Sequence, residues 1–133
     1  MQGGDYVESN KKTCQLWIPG RLPGLNELLA QKSRDHGAYS RMKKDAHELI
    51  ARSIFAAELE SFEGGAFLSY ELVEINRKRD PGNVLAGASK LIEDSLVTTR
   101  VLLGDGWRGV LGYRSVTWRV GELPGVLVTL EGP

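Results

Sequence analysis

Residues 79–107 read RDPGNVLAGASKLIEDSLVTTRVLLGDGW, and this stretch decides the fold. Arg79-Asp80-Pro81-Gly82-Asn83 opens a helix, because Asp is a favoured N-cap and Pro a favoured first helical residue. On a wheel of about 100° per residue, Lys90 and Asp94 each fall within about 20° of Asn83, which makes one polar line. Gly87, at about 40° on the same wheel, leaves that side bare. Val84, Leu85, Ala88, Leu91, Ile92 and Leu96 fill the opposite arc and are expected to face a core. Gly104-Asp105-Gly106-Trp107 follows as a turn. Two short loops, each built around an acid, are thus joined by one amphipathic helix.

Outward from this helix, the pattern predicts a strand, a long helix, a strand, the helix at 80, and a closing hairpin. Gln15 to Pro19 reads as a strand, and the Pro/Gly-rich segment up to Asn26 as a loop. Met42, Ala46, Leu49, Ile50, Ser53 and Ala57 repeat at helical spacing between about Tyr39 and Leu59. Gly64-Gly65 breaks the chain. Phe67 to Asn76 alternates as a strand, with Leu68, Tyr70 and Leu72 on one face and Val73 and Ile75 on the other. Arg114 to Val120 and Val126 to Leu130 form the last two strands, joined by the turn Gly121–Gly125. The expectation is one α+β domain over residues 13–133, with a mixed sheet of about four strands against two helices. Residues 1–12 are polar and read as a flexible N-terminal segment.

Each residue of the central stretch also has an ordinary structural reading. Asp80 can serve as a cap alone, Lys90 and Asp94 as a surface pair worth a few tenths of a kcal/mol, and Gly-Asp-Gly as a simple turn. The combination says more. Carboxylates, an amide and an ammonium group are the parts that hold a divalent ion and a phosphate. Asp80 and Asp105 are the carboxylates best placed to bind metal, and Asn83 suits a phosphate oxygen or a bound water. Lys90 suits charge developing on a phosphoryl group.

The order Arg-Asp-Pro-x-Asn, a helical Lys, then x-Asp-Gly-Trp resembles the RusA family of Holliday-junction resolvases, in its phage and prophage form. Trp17-Ile18-Pro19-Gly20-Arg21-Leu22-Pro23-Gly24-Leu25-Asn26 is similar to that family's first strand and loop, and Lys43 and Lys44 also fit. The likeness covers residues 15 to 130. It implies a homodimeric endodeoxyribonuclease of DNA recombination and repair that cuts four-way junctions with Mg²⁺, for which Mn²⁺ substitutes. It also implies that Asp80 and Asp105 hold the metal and that Asn83 and Lys90 complete the catalytic set. Some members carry the lysine one turn earlier, where this chain has Ala86. Gly82 stands where the family has its second aspartate. A carboxylate lost from a hard-cation site lowers both its charge and its ligand count. The alternative is therefore a weakened or inactive relative that binds junction DNA without cutting it. Asp94 and Glu93 are the acids that would have to compensate, but Asp94 lies about 20 Å up the helix from Asp80, too far to share one ion.

Net charge is zero, but the charge is unevenly placed. Residues 11–52 hold nine Lys/Arg against four acids, whereas residues 58–74 hold five Glu and no base. A local basic surface is what meets phosphates, and Arg77, Lys78, Arg79, Lys43, Lys44 and Arg108 are the expected DNA contacts. Trp107 could stack on a base but is expected to pack under its loop. Trp17 and Trp118 are expected in the core, and His36 and His47 are given no direct role. Cys14 is the single cysteine, so there is no disulfide framework and no cysteine zinc site. No apolar run approaches the roughly eighteen residues of a membrane-crossing helix, and no signal-peptide pattern opens the chain. A cytoplasmic setting without a membrane partner is the expectation.

Overall fold

The structure, a computed structural model, describes residues 11–104 and 106–133. Asp105, and the expected flexible segment apart from Lys11 and Lys12, lie outside the described residues. In chain order the elements are β1 (Thr13–Pro19), α1 (Leu25–Arg34), α2 (His36–Ala57), β2 (Ala66–Glu74), α3 (Pro81–Thr98), a short 3₁₀ turn (Gly106–Arg108), β3 (Val110–Val120) and β4 (Gly125–Glu131). The expected α+β class holds, with a four-stranded mixed sheet. Among the described residues there are three α-helices, however, where two were expected.

The added helix is α1. The Pro/Gly loop ends at Gly24, not beyond Asn26, because the helix start is held from two sides. The Glu27 carboxylate accepts from Gly24 N at 3.0 Å, and Asn83 Oδ1 accepts from Asn26 N at 3.3 Å. Similarly, α2 begins at His36 rather than Tyr39, because Asp35 Oδ1 accepts from Gly37 N and Ala38 N and caps the helix. It ends where Glu58 turns left-handed, at φ 53°.

The sheet order is β1-β4-β2-β3. β4 runs antiparallel to both β1 and β2, and β3 runs parallel to β2. The expected closing hairpin is therefore absent: β3 and β4 are consecutive in sequence, but β2 lies between them. The reason is α3. It carries the chain from the end of β2 back to its start, so the next strand must run parallel to β2. The Gly121–Pro124 connection then crosses the end of β2, where Gly121 N donates to Glu74 O at 2.8 Å.

One face of the sheet meets the helices. Leu16 and Ile18 of β1, Leu68, Tyr70 and Leu72 of β2, and Val126, Val128 and Leu130 of β4 form one buried cluster with Leu28, Ile50, Ile54, Leu91, Ile92 and Leu96. Each such side chain gains about 1.5–3 kcal/mol on burial, far more than helix propensity differences of some tenths. Packing therefore holds α3. Its apolar arc is as expected, but the side at Gly87 is not bare. A Cβ there would lie 2.5 Å from Pro23 O and 2.6 Å from the Gly24 carbonyl carbon. Gly87 is buried because the loop before α1 rests directly on it.

The tryptophans depart from expectation as well. Trp118 is 53% exposed and Trp17 40%. Trp17 alternates with the buried Leu16 and Ile18 and so lies on the sheet face away from the helices, over Gly125. Trp118 sits on the helix-side face, level with Leu72, but on the edge strand, beyond the cover of α3. Trp107 is 95% exposed rather than packed under its loop.

Candidate nucleic-acid interface

The N-terminus of α3 gathers the central residues. Asp80 caps the helix, with Oδ2 accepting from Asn83 N at 3.0 Å, and its carboxylate is exposed. Asn83 turns its amide oxygen onto Asn26 N, so it ties the start of α1 to the start of α3. Arg21, Asn26, Glu27, Arg79, Asp80 and Asn83 surround a depression of about 330 Å³. Of these six residues the sequence gives roles to Arg79, Asp80 and Asn83, places Arg21 and Asn26 only within the loop motif, and leaves Glu27 without a role.

Arg79, expected as a DNA contact, is held within the protein. Its Nε and one terminal nitrogen grip both Glu74 oxygens at 2.8 Å. The other terminal nitrogen donates to Leu22 O at 2.7 Å and to Glu27 Oε1 at 3.0 Å. Only 16% of the side chain is exposed. Burial alone would lower the guanidinium pKa, but the bonds and charges of Glu74 and Glu27 outweigh it and raise the value. Glu27 shows the converse balance: burial opposes its ionisation, but the Gly24 N–H, Arg21 and Arg79 together hold its carboxyl below the ordinary value. Arg21 closes the cluster with two bonds to Glu27, at 3.0 and 3.2 Å. The signal for Glu27 was present in the sequence, as an acid three residues after a helix-start position. Nothing local points to Glu74 as the partner of Arg79.

The remaining expected residues are spread out. Lys90 is exposed, its Nζ 3.4 Å from Asp94 Oδ1, so the two form the i,i+4 surface pair of the plainer reading. It stands roughly 10 Å along α3 from Asn83. Arg77 and Lys78 are exposed in the loop before α3, where Asn76 Oδ1 accepts from Lys78 N at 2.9 Å. Arg108 is exposed in the 3₁₀ turn. Lys43 and Lys44 lie on α2. The Lys43 ammonium rests 5.4 Å from the centre of the Tyr39 ring, and that of Lys44 lies 4.0 Å from Glu48. Neither belongs to the depression at Asp80. Asp105 lies outside the described residues, between Gly104 and Gly106, so its expected approach to Asp80 does too.

An implied divalent ion can be tested against these donors. Mg²⁺ takes one or two carboxylates, completed by water and phosphate oxygens. Asp80 supplies one carboxylate, with Oδ1 unengaged among the described residues. No group of three or more His, Cys, Asp or Glu gathers among the described residues. They thus fit only the weakest form of such a centre. At Gly82, where the resemblance implies a second acid, an ideal Cβ lies 3.4 Å from Asp80 Oδ2 and φ is not positive, so a side chain there meets no backbone obstacle.

Two polar clusters escaped the sequence reading. Glu93 on α3 accepts from Tyr70 Oη at 2.7 Å and from Tyr113 Oη at 2.9 Å. Burial, with the Glu93 carboxylate adding to it, raises the Tyr70 phenol well above its usual range and pushes Tyr113 up to about 12. These phenols are fixed hydrogen-bond donors that clamp β2 and β3 to α3. His47 Nδ1 lies 2.7 Å from the buried Ser95 Oγ. Burial lowers the His47 pKa, opposed by Asp94 and assisted by Lys43. Both clusters join residues twenty or more positions apart, so no local pattern could reveal them.

No helix among the described residues is long and apolar enough to cross a membrane. No protein-family model matches the chain, and no curated protein matches it.

Proposed function

We propose that the chain acts on branched DNA as a metal-dependent, structure-selective endodeoxyribonuclease that resolves four-way junctions as a homodimer. The observation that carries this reading is the open Asp80 carboxylate at the start of α3, where the resemblance puts the first metal ligand. Exposed Arg77, Lys78 and Arg108 supply the phosphate contacts, while Arg79 serves as an internal brace. A divalent ion, Mg²⁺ or Mn²⁺, supplies water activation and charge neutralisation when bound. Asp80 and Asp105 are its proposed ligands. Lys90 must leave Asp94 to reach a phosphate, and an exposed pair of this kind, worth roughly 0–1 kcal/mol, does little to hold it back.

A second reading is favoured by Gly82, which leaves open the space beside Asp80 Oδ2. On that reading the chain binds junction DNA and cuts it slowly or not at all. One experiment separates the two: incubation with a synthetic four-way junction and Mg²⁺ or Mn²⁺, beside a linear duplex of the same sequence. Symmetric nicks in the junction alone support the nuclease. Junction-selective binding without nicks supports the second reading, and equal binding to both DNAs removes both.

A further inference from the structure

Beside the Asp80 depression lies a larger groove, of whose lining the proposed function uses only Arg77 as a DNA contact. Its volume is about 730 Å³, within the range of roughly 300–1,000 Å³ typical of small-ligand sites. Leu72, Pro81 and Val84 give it an apolar floor, and the half-exposed Trp118 indole and Val120 form one wall. Arg77 and Arg119 stand on its rim, with Asn76 beside them. Arg79 lines both this groove and the Asp80 depression, so the two adjoin.

We infer that this groove takes an unpaired base of a DNA strand, stacked against Trp118, with its phosphate on Arg77. The inference rests on the branched-DNA reading and names the part of the substrate that would meet this surface. Three features favour a base. An indole beside an apolar floor suits any π-face, and stacking of this kind is tolerant of base identity. The acid in the groove, Glu74, is already neutralised by its bidentate pair with Arg79, so Arg77 leaves the rim positive toward a phosphate. The base edge also has partners, because Asn76 uses its oxygen on Lys78 N and keeps its amide hydrogens to donate. A second copy of the chain fits less well. An isologous contact across this groove would bring the Arg77 of both copies into one interface, while the acid lining the groove, Glu74, is already taken by Arg79, and Arg119 is held 3.5 Å from Glu71 Oε2.

The test uses the full chain and three DNAs at one salt concentration: a four-way junction, a fully paired duplex and a short single strand. Trp118→Ala should weaken binding of the single strand and the junction roughly tenfold and leave duplex binding unchanged. Trp118→Phe, which keeps a π-face, should retain most of the affinity. Arg77→Ala should lower the salt slope by about one, as loss of one phosphate contact requires. A single strand carrying bromodeoxyuridine, irradiated in complex with the unaltered protein, should crosslink at Trp118, a readout independent of how any variant folds. If the protein prefers the junction but Trp118→Ala changes no affinity, or the crosslink maps to Trp17 or Trp107, the groove assignment is wrong and the function stands. If the unaltered protein binds no DNA, the function itself is wrong and the groove assignment goes with it. Conversion of a dimer to a monomer by Trp118→Ala would make the groove a subunit contact and overturn the proposal.

Discussion

Gly82 and Arg79 stand within three residues of each other and carry opposite lessons. Gly82 is exposed, its φ is not positive, and a Cβ there meets only Asp80 Oδ2, at 3.4 Å. Gly82→Asp should therefore fold. An acid in the first turn gains some tenths of a kcal/mol from the helix dipole, set against repulsion from Asp80. The variant's melting temperature should stay within a few degrees of the parent. Its new carboxylate should strengthen Mg²⁺ or Mn²⁺ binding, measured by calorimetry, and raise the rate of junction cleavage. A parent that already cuts at the variant's rate would show that position 82 is no ligand. Arg79 read as one more cation of a basic run, yet its donors meet two carboxylates and a carbonyl. Arg79→Lys keeps the charge but cannot span both Glu74 oxygens and Glu27 at once. Breaking one side of so enclosed a pair should cost about 2–4 kcal/mol, read from urea unfolding. An unchanged midpoint would return Arg79 to the surface role first expected of it.

Among the elements, α3 was the most legible, because its apolar arc, cap and proline are all local signals. What it packs against was not. The His47–Ser95 contact joins α2 to α3, and its pH dependence has a definite sign. Burial lowers the folded pKa of His47 below its ordinary value near 6.5. The unfolded chain thus takes up the proton first as pH falls, and the stabilisation is full above that value and lost below it. Urea midpoints of the parent should drop between pH 7.5 and 5.5 by more than those of His47→Gln, which cannot protonate. Parallel curves would mean that the imidazole is not held neutral by the fold. The start of α1 was missed because its support is tertiary. Glu27 is a local signal, but Asn83 lies 57 residues beyond Asn26, from whose N–H it accepts a hydrogen bond. The expected hairpin failed for a similar reason. The turn residues at Gly121–Gly125 report that the chain reverses there, not which strand lies between the two arms.

At the scale of the molecule, a four-way junction has two-fold symmetry, and two symmetric cuts call for an isologous dimer. Sedimentation at micromolar concentration should show a dimer, with or without junction DNA. A monomer under both conditions would contradict the proposed mode of action. The sequence by itself determined the α+β class, the polar and apolar arcs of α3, the alternation of β2 and the acid-bearing start of α3. All of these follow from chemistry within a few residues: a cap, a period of 3.6 or 2, a proline at the first turn. Only the tertiary structure decided that β2 separates β3 from β4, that Arg79 braces Glu74 and Glu27, that Asn83 ties two helix starts together, and that Trp118 opens onto a groove. Those outcomes depend on partners tens of residues away. Whether an arginine faces solvent or a carboxylate, or a strand tryptophan a helix or water, is set by which elements the fold brings alongside.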